Sequence, residues 1–273
     1  MPVICLSDTV NNMKNLFPWY DAHWLSAYVR AKRLLQSDYP HKYSEFIAAL
    51  EPLRTRLDFQ PIQIGNFFDA KTLAEIKDLI IKLKQEEFEK HEFFNFGRLV
   101  VHDHPYFNQL QTMLTPLVSE KVGELVEPGY NFLSLYNNLG ICGVHMDAPY
   151  AKYTLDVCIE QSHPWPIHFS QVQPWPEEFH DHPDWEQTVK SDPDNIFTPY
   201  ALKAGEAVIF SGSSQWHYRE RIPRNKTEKL ENNFCHLIFF HFIPQGMAHI
   251  MKPKNWPALF DLPALDRVIA QKV

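Results

Sequence analysis

His145, Met146 and Asp147 are consecutive in the chain. On an extended strand, residues i and i+2 project from the same face, so this imidazole and carboxylate can take adjacent corners of one metal ion. A second histidine must come from elsewhere. His217 follows residues 205–212, which read as a tight turn at Gly205, an apolar strand and a second turn at Gly212 that swings the chain back. Two histidines and one carboxylate on one face leave three positions of an octahedral iron(II) open, room for a bidentate small molecule and dioxygen. His145, Asp147 and His217 are therefore the expected metal ligands and catalytic centre. The other paired histidines, His102 with His104 and His180 with His182, flank Asp103 and Asp181 beside prolines and read as surface turns.

Strands are needed to hold such a triad, and the sequence supplies them. From Phe93 onward, short runs of alternating or apolar residues are separated by Pro, Asn and Gly: 97–101, 130–136, 153–159, 166–169, 207–210, 216–222 and 234–243. One helix, about 106–118, interrupts them. Before the strands, Asp69 is a plausible N-cap for a helix running to about Glu89, with Leu73, Ile76, Leu79, Ile80 and Leu83 on one face. Residues 1–65 read as a helical N-terminal extension, 66–250 as the β-rich domain and 251–273 as a C-terminal tail packed on it. Many short strands behind helices imply a mainly β, α+β fold with a helical buttress, of the two-sheet jelly-roll kind. Residues 171–198 break the rhythm with a Pro-rich, acidic insertion that keeps Trp175 and Trp185. It reads either as a lid over the site or as an insertion packed on its own tryptophans.

Composition narrows the function. The formal net charge of -7 gives no long-range attraction for phosphates or anionic lipid, so neither nucleic acid nor membrane is an expected partner; a small molecule or a peptide is. Neither a Walker-type loop nor a G-x-G-x-x-G turn is present, and Gly212-Ser213-Ser214 lacks the second glycine of a nucleophile elbow. Cys5, Cys142, Cys158 and Cys235 form no C-x-x-C pair and sit among apolar neighbours, as reduced thiols do. With no signal-like opening and no apolar stretch of about eighteen residues, a cytoplasmic protein is expected. Nothing in the sequence sets the oligomeric state.

Taken together, Tyr136 upstream of the H-x-D tripeptide, the 205–210 strand, His217 and the closing 234–243 strand resemble the 2-oxoglutarate- and iron(II)-dependent oxygenases. The resemblance covers about 69–246 and is nearest the prolyl-hydroxylase-like branch. It implies a double-stranded β-helix (cupin-like) and an enzyme using Fe(II), 2-oxoglutarate and O2, with ascorbate in support. Such an enzyme hydroxylates or desaturates a C–H bond of a small molecule or peptidyl side chain. Because the carboxylate Asp147 is kept, hydroxylation or desaturation is implied over halogenation, with epimerisation or ring closure left open. Tyr136 resembles the tyrosine that hydrogen-bonds 2-oxoglutarate in that branch. The cosubstrate's far carboxylate also needs a cation, and here the sequence departs from the commonest pattern, with Asn232-Asn233-Phe234-Cys235 opening the last strand. Arg219 is the first choice and Arg221 the second, since both share the strand face of His217; Arg224, Lys152 and His168 are further alternatives. Asn138, Tyr150, Tyr153, Trp165 and Trp175 are candidates to line a substrate pocket. Two other readings compete: a cupin-like metal enzyme that does not use 2-oxoglutarate, and a non-catalytic β-sandwich binding protein.

Overall fold

The computed structural model describes residues 17, 19, 22–178, 183–223 and 233–269; Cys5, His180, Asp181, His182, Arg224 and Asn232 lie outside them. Ten strands build two antiparallel sheets. The larger contains β1 (Ile62–Ile64), β2 (Arg98–His102), β3 (Val126–Tyr136), β5 (Tyr153–Gln161), β8 (Ala207–Phe210) and β10 (Cys235–Pro244), in the order β1-β8-β5-β10-β3-β2. The smaller contains β4 (Cys142–His145), β6 (Ile167–Val172), β7 (Thr198–Tyr200) and β9 (Gln215–Arg219), in the order β4-β9-β6-β7. This is the expected double-stranded β-helix in an α+β chain.

Side-chain alternation decides what faces where. On β5, Leu155, Val157 and Ile159 join the apolar layer against the helices Ala70–Lys82 and Pro105–Val122, which sends Thr154, Asp156 and Cys158 into the space between the sheets. Both helices start where short-range chemistry dictates. The Asp69 carboxylate accepts from Thr72 N at 2.7 Å, while Pro105 takes the first turn and His104 Nδ1 accepts from Tyr106 N at 3.2 Å. The second helix ends at Gly123, whose φ of 71° is the left-handed cap that glycine favours.

Three expectations need correction. The first helix stops at Lys82 rather than near Glu89, because Leu83 turns extended and Glu89 is drawn into a bridge with Val100 beside β2. The N-terminal extension is not wholly helical, since β1 pairs with β8 as an edge of the larger sheet. The strand expected at 216–222 ends at Arg219, beyond which the chain leaves the β4 ladder.

The helices His23–Asp38 and Pro40–Leu50 and the C-terminal turns form one apolar layer with Val144, Met146 and Trp216, on the outer face of the smaller sheet. Trp24 Nε1 donates to Met251 O at 2.8 Å and Arg30 Nε to Val268 O at 3.0 Å, tying the two ends of the chain together. The insertion packs here too. The Trp175 ring lies edge-on to Trp24 at 5.4 Å and to Tyr28 at 5.3 Å, with the Arg54 guanidinium 4.9 Å from its centroid. Trp175→Ala should therefore cost about 3–5 kcal/mol in urea unfolding, as emptying a buried tryptophan site does, with metal affinity unchanged. A segment acting as a lid would show the reverse.

Candidate metal centre

The β4–β9 ladder pairs His145 directly with His217, and the ring centroids lie 4.1 Å apart. Val144 and Met146 point out into the helical layer, so His145 and Asp147 point in. His145 Nε2 lies 3.4 Å from Asp147 Oδ1, and His217 Nε2 lies 3.8 Å from Asp147 Oδ2. These separations approach the roughly 3 Å edge of a coordination shell with bonds of about 2.0–2.2 Å. Among the described residues, no other set of three or more His, Cys, Asp or Glu side chains meets this way.

Ring orientation provides the test of fit. His145 Nδ1 is 2.8 Å from Gly143 O and His217 Nδ1 is 2.9 Å from Gln215 O, the same i to i−2 contact on both strands. A carbonyl can only accept, so each Nδ1 carries the hydrogen and each Nε2 presents its lone pair toward Asp147, the arrangement of a metal-ligating histidine. The donor set suits iron(II) or a similar divalent ion.

Gly212 allows the third ligand its place. Gly212 O accepts from Asp147 N at 2.8 Å, and a Cβ at residue 212 would stand 2.4 Å from Asp147 Oδ2 and 2.7 Å from Ala151 O. Gly212→Ala should thus displace the carboxylate and weaken Mn(II) binding by about 10–100-fold, the range for disturbing a ligand's support. Calorimetric titration checks this; wild-type affinity in a folded variant would contradict it.

Charge in the cluster is set by its neighbours. Burial would raise the Asp147 carboxyl, but the His217 and His145 imidazoles beside it hold it well below the usual carboxylate range. Burial likewise works against charge on His145, but the Cys142 sulfur and the Asp147 carboxylate outweigh it and raise its pKa well above the ordinary histidine value. His217 is lowered to about 4, by burial first and His145 second. A proton on His145 Nε2 occupies the lone pair a cation needs, so metal binding at neutral pH must expel it. Metal affinity should accordingly rise with pH through the His145 titration, with proton release measurable in buffers of different ionisation enthalpy.

The triad opens into a cavity of about 240 Å³ between the sheets. Arg219 and Tyr136 line it, as do Tyr150, Thr154 and Phe210. Arg219 is buried on β9, where Nη2 donates to Asp156 Oδ2 at 2.6 Å and Nη1 donates to Trp165 O. Arg221 lies outside the cavity, exposed, donating to Leu139 O at 3.2 Å. Lys152 is also elsewhere, buried against both oxygens of Glu124, and His168 stacks on Tyr218 at 4.6 Å, apart from the cavity. Tyr153 belongs to the apolar layer under the helices, and Trp165 packs edge-on to Tyr136 at 4.8 Å. His102 lines the cavity as well, paired with Glu89 at 2.8 Å, and His104 is a helix cap. None of the described residues in 171–198 reaches this cavity.

Sequence reasoning missed two cavity residues. Arg98 on β2 is buried, its Nε paired with the Glu92 carboxylate and its Nη1 donating to Tyr136 Oη at 2.7 Å. His241 on β10 stacks on Tyr130 with centroids 4.0 Å apart, and burial lowers it to about 4. The available signal was a polar residue at an inward position of an otherwise apolar strand: Arg98 before Leu99-Val100-Val101, and His241 between Phe240 and Phe242.

The two-sheet double-stranded β-helix carries two histidines and a carboxylate in its interior, and its fold is one also found in non-heme alpha-ketoglutarate-dependent enzymes. A scan against protein-family models finds no match for the sequence, and a search of curated proteins finds none. Among solved structures, the chain is similar to the non-heme alpha-ketoglutarate-dependent carbocyclase SnoK from nogalamycin biosynthesis, at 11% identity over 73% of this chain and 89% of that one, with a TM-score of 0.51. It is similar also to the epimerase SnoN of the same biosynthesis, at 16% identity over 76% and 89% of the two chains, with a TM-score of 0.50. At these identities the likeness is one of fold, and neither likeness singles out the prolyl-hydroxylase-like branch.

Proposed function

We propose that this protein is an iron(II)- and 2-oxoglutarate-dependent oxygenase that oxidises a C–H bond of a small molecule, a peptidyl side chain being the less favoured substrate. The observation that carries this reading is the pair of Nδ1–carbonyl contacts, which aim both histidine Nε2 atoms at Asp147 beside a cavity that two arginines also line. When bound, iron(II) with 2-oxoglutarate supplies the oxidising power: dioxygen and the cosubstrate give succinate and carbon dioxide, and one oxygen atom is left for the substrate. Because the structural neighbours include an epimerase and a carbocyclase, the outcome is not restricted to hydroxylation.

The chain's own residues bind and orient. His145, Asp147 and His217 hold the metal as a neutral, an anionic and a neutral ligand. On the cavity wall, Tyr136 Oη accepts from Arg98 Nη1, so its own hydrogen is free to donate, and Arg98 Nη2 has no partner among the described residues. These two donors suit the far carboxylate of 2-oxoglutarate. Arg219 has both terminal nitrogens engaged, so we assign it to shaping the wall beside that carboxylate rather than gripping it. Arg221, exposed and outside the cavity, has no part in this assignment. No helix among the described residues is long and apolar enough to cross a membrane. The free thiols of Cys142, Cys158 and Cys235 suit the reducing cytoplasm, which we take as its location.

The test is carbon-13 NMR of labelled 2-oxoglutarate incubated in air with the protein and Fe(II), alone and with candidate small molecules. Succinate should form with wild-type protein and not with Asp147→Ala. An iron-loaded wild type that never converts the label would favour a cupin-like enzyme without cosubstrate.

A further inference from the structure

Along one wall of the cavity, the inner face of the larger sheet carries rings from two paired strands. Tyr130 and Phe132 alternate inward on β3, and Phe239 and His241 do so on β10, with Phe239 directly opposite Phe132. Their planes share one orientation. Tyr130 and His241 lie 4° apart with centroids at 4.0 Å. Phe132 is inclined 16° to Tyr130 and 20° to His241, and Phe239 is 32° from Phe132. His241 Nδ1 approaches Tyr130 O at 3.3 Å, and Gln111 Nε2 donates to the same carbonyl at 3.2 Å and to His241 O at 2.7 Å, which fixes the stack to the helix behind it.

Two further observations restrict what this wall can receive. Both arginines of the cavity are already bonded to carboxylates, Arg98 to Glu92 and Arg219 to Asp156, and His102 turns to Glu89. With Arg98 assigned to the cosubstrate carboxylate, no other cation among the described cavity residues lacks an anionic partner and so stays free for a charged substrate. The volume of about 240 Å³ is also below the roughly 300–1,000 Å³ usual for a small-molecule site, and the cosubstrate must share it. Only a ring-sized, uncharged portion of a substrate fits beside the metal.

We infer that the substrate presents a flat, uncharged aromatic or conjugated ring to the wall formed by Tyr130, Phe132, Phe239 and His241, where ring–ring stacking aligns it within the cavity that Asp147 also lines. This rests on the oxygenase reading for the metal, but the ring preference can be measured without it. Saturation-transfer NMR on the metal-free full chain with phenol and cyclohexanol compares a flat and a puckered ring of similar size and polarity. Phenol should bind about three- to tenfold more tightly, the effect of one stacking contact. Tyr130→Leu, which keeps apolar bulk, should erase the preference, with circular dichroism and Mn(II) affinity unchanged. Adding Mn(II) should then broaden the phenol ring protons in the wild type. Equal binding of the two probes, a preference that survives Tyr130→Leu, or phenol left sharp by bound Mn(II) would overturn the inference. Failure of Mn(II) to bind at all would instead count against the metal reading, since the metal-free comparison stands apart from it.

Discussion

Asp147→Ala should weaken Mn(II) or Fe(II) binding by more than about a hundredfold, beyond the 10–100-fold loss typical when only a ligand's supporting partner is removed. The carboxylate lies 3.4 Å from one histidine Nε2 and 3.8 Å from the other, so it supplies both a ligand atom and the negative charge that draws a cation between them. Asp147→Asn keeps the shape and removes the charge, and should fall between the wild type and the alanine variant. His145→Ala and His217→Ala should match the alanine result. Calorimetric titration with thermal unfolding of each variant separates lost affinity from lost fold. Wild-type affinity in any one of them would remove that residue from the site.

The second large effect concerns the cosubstrate. Arg98→Gln should reduce 2-oxoglutarate affinity of the Mn(II)-loaded protein by about thirtyfold or more, since truncating one partner of a buried charged pair costs roughly 2–5 kcal/mol. The substitution also leaves Glu92 buried without its cation, which by itself destabilises the fold. The double variant Arg98→Gln/Glu92→Gln removes that complication and should show the same loss with restored stability. Arg219→Gln is the comparison. Arg219 serves Asp156 and the Trp165 carbonyl, so its loss should be felt first in unfolding. If Arg219→Gln weakens 2-oxoglutarate and the double variant does not, the roles of the two arginines are exchanged.

The contrast between these arginines illustrates how far sequence reading reaches. His145, Asp147 and His217 were legible because two-residue periodicity and a turn–strand–turn are local properties, and the structure gives His145 and Asp147 the common face that period requires. The cap at Asp69 was legible for the same reason. Arg98 was not, because its place beside Tyr136 arises from the β2–β3 pairing, which nothing local to Arg98 encodes. The short β4 was missed as a strand of its own: its four residues include Gly143, and its ladder partner β9 lies far along the chain. The insertion at 171–198 was ambiguous for a similar reason. Trp175 suits a lid or a buttress equally until Trp24 and Tyr28, from the other end of the chain, are seen against it.

The central claim is that the triad and the Arg98–Tyr136 pair in the same cavity act together on one metal and one cosubstrate. Anaerobic calorimetric titration of the protein with 2-oxoglutarate, before and after loading with Fe(II), tests this directly. The account predicts one equivalent of 2-oxoglutarate bound tightly by the iron-loaded protein and little or none by the metal-free protein. Iron bound at the triad with no uptake of 2-oxoglutarate, or 2-oxoglutarate bound equally well without iron, would contradict it.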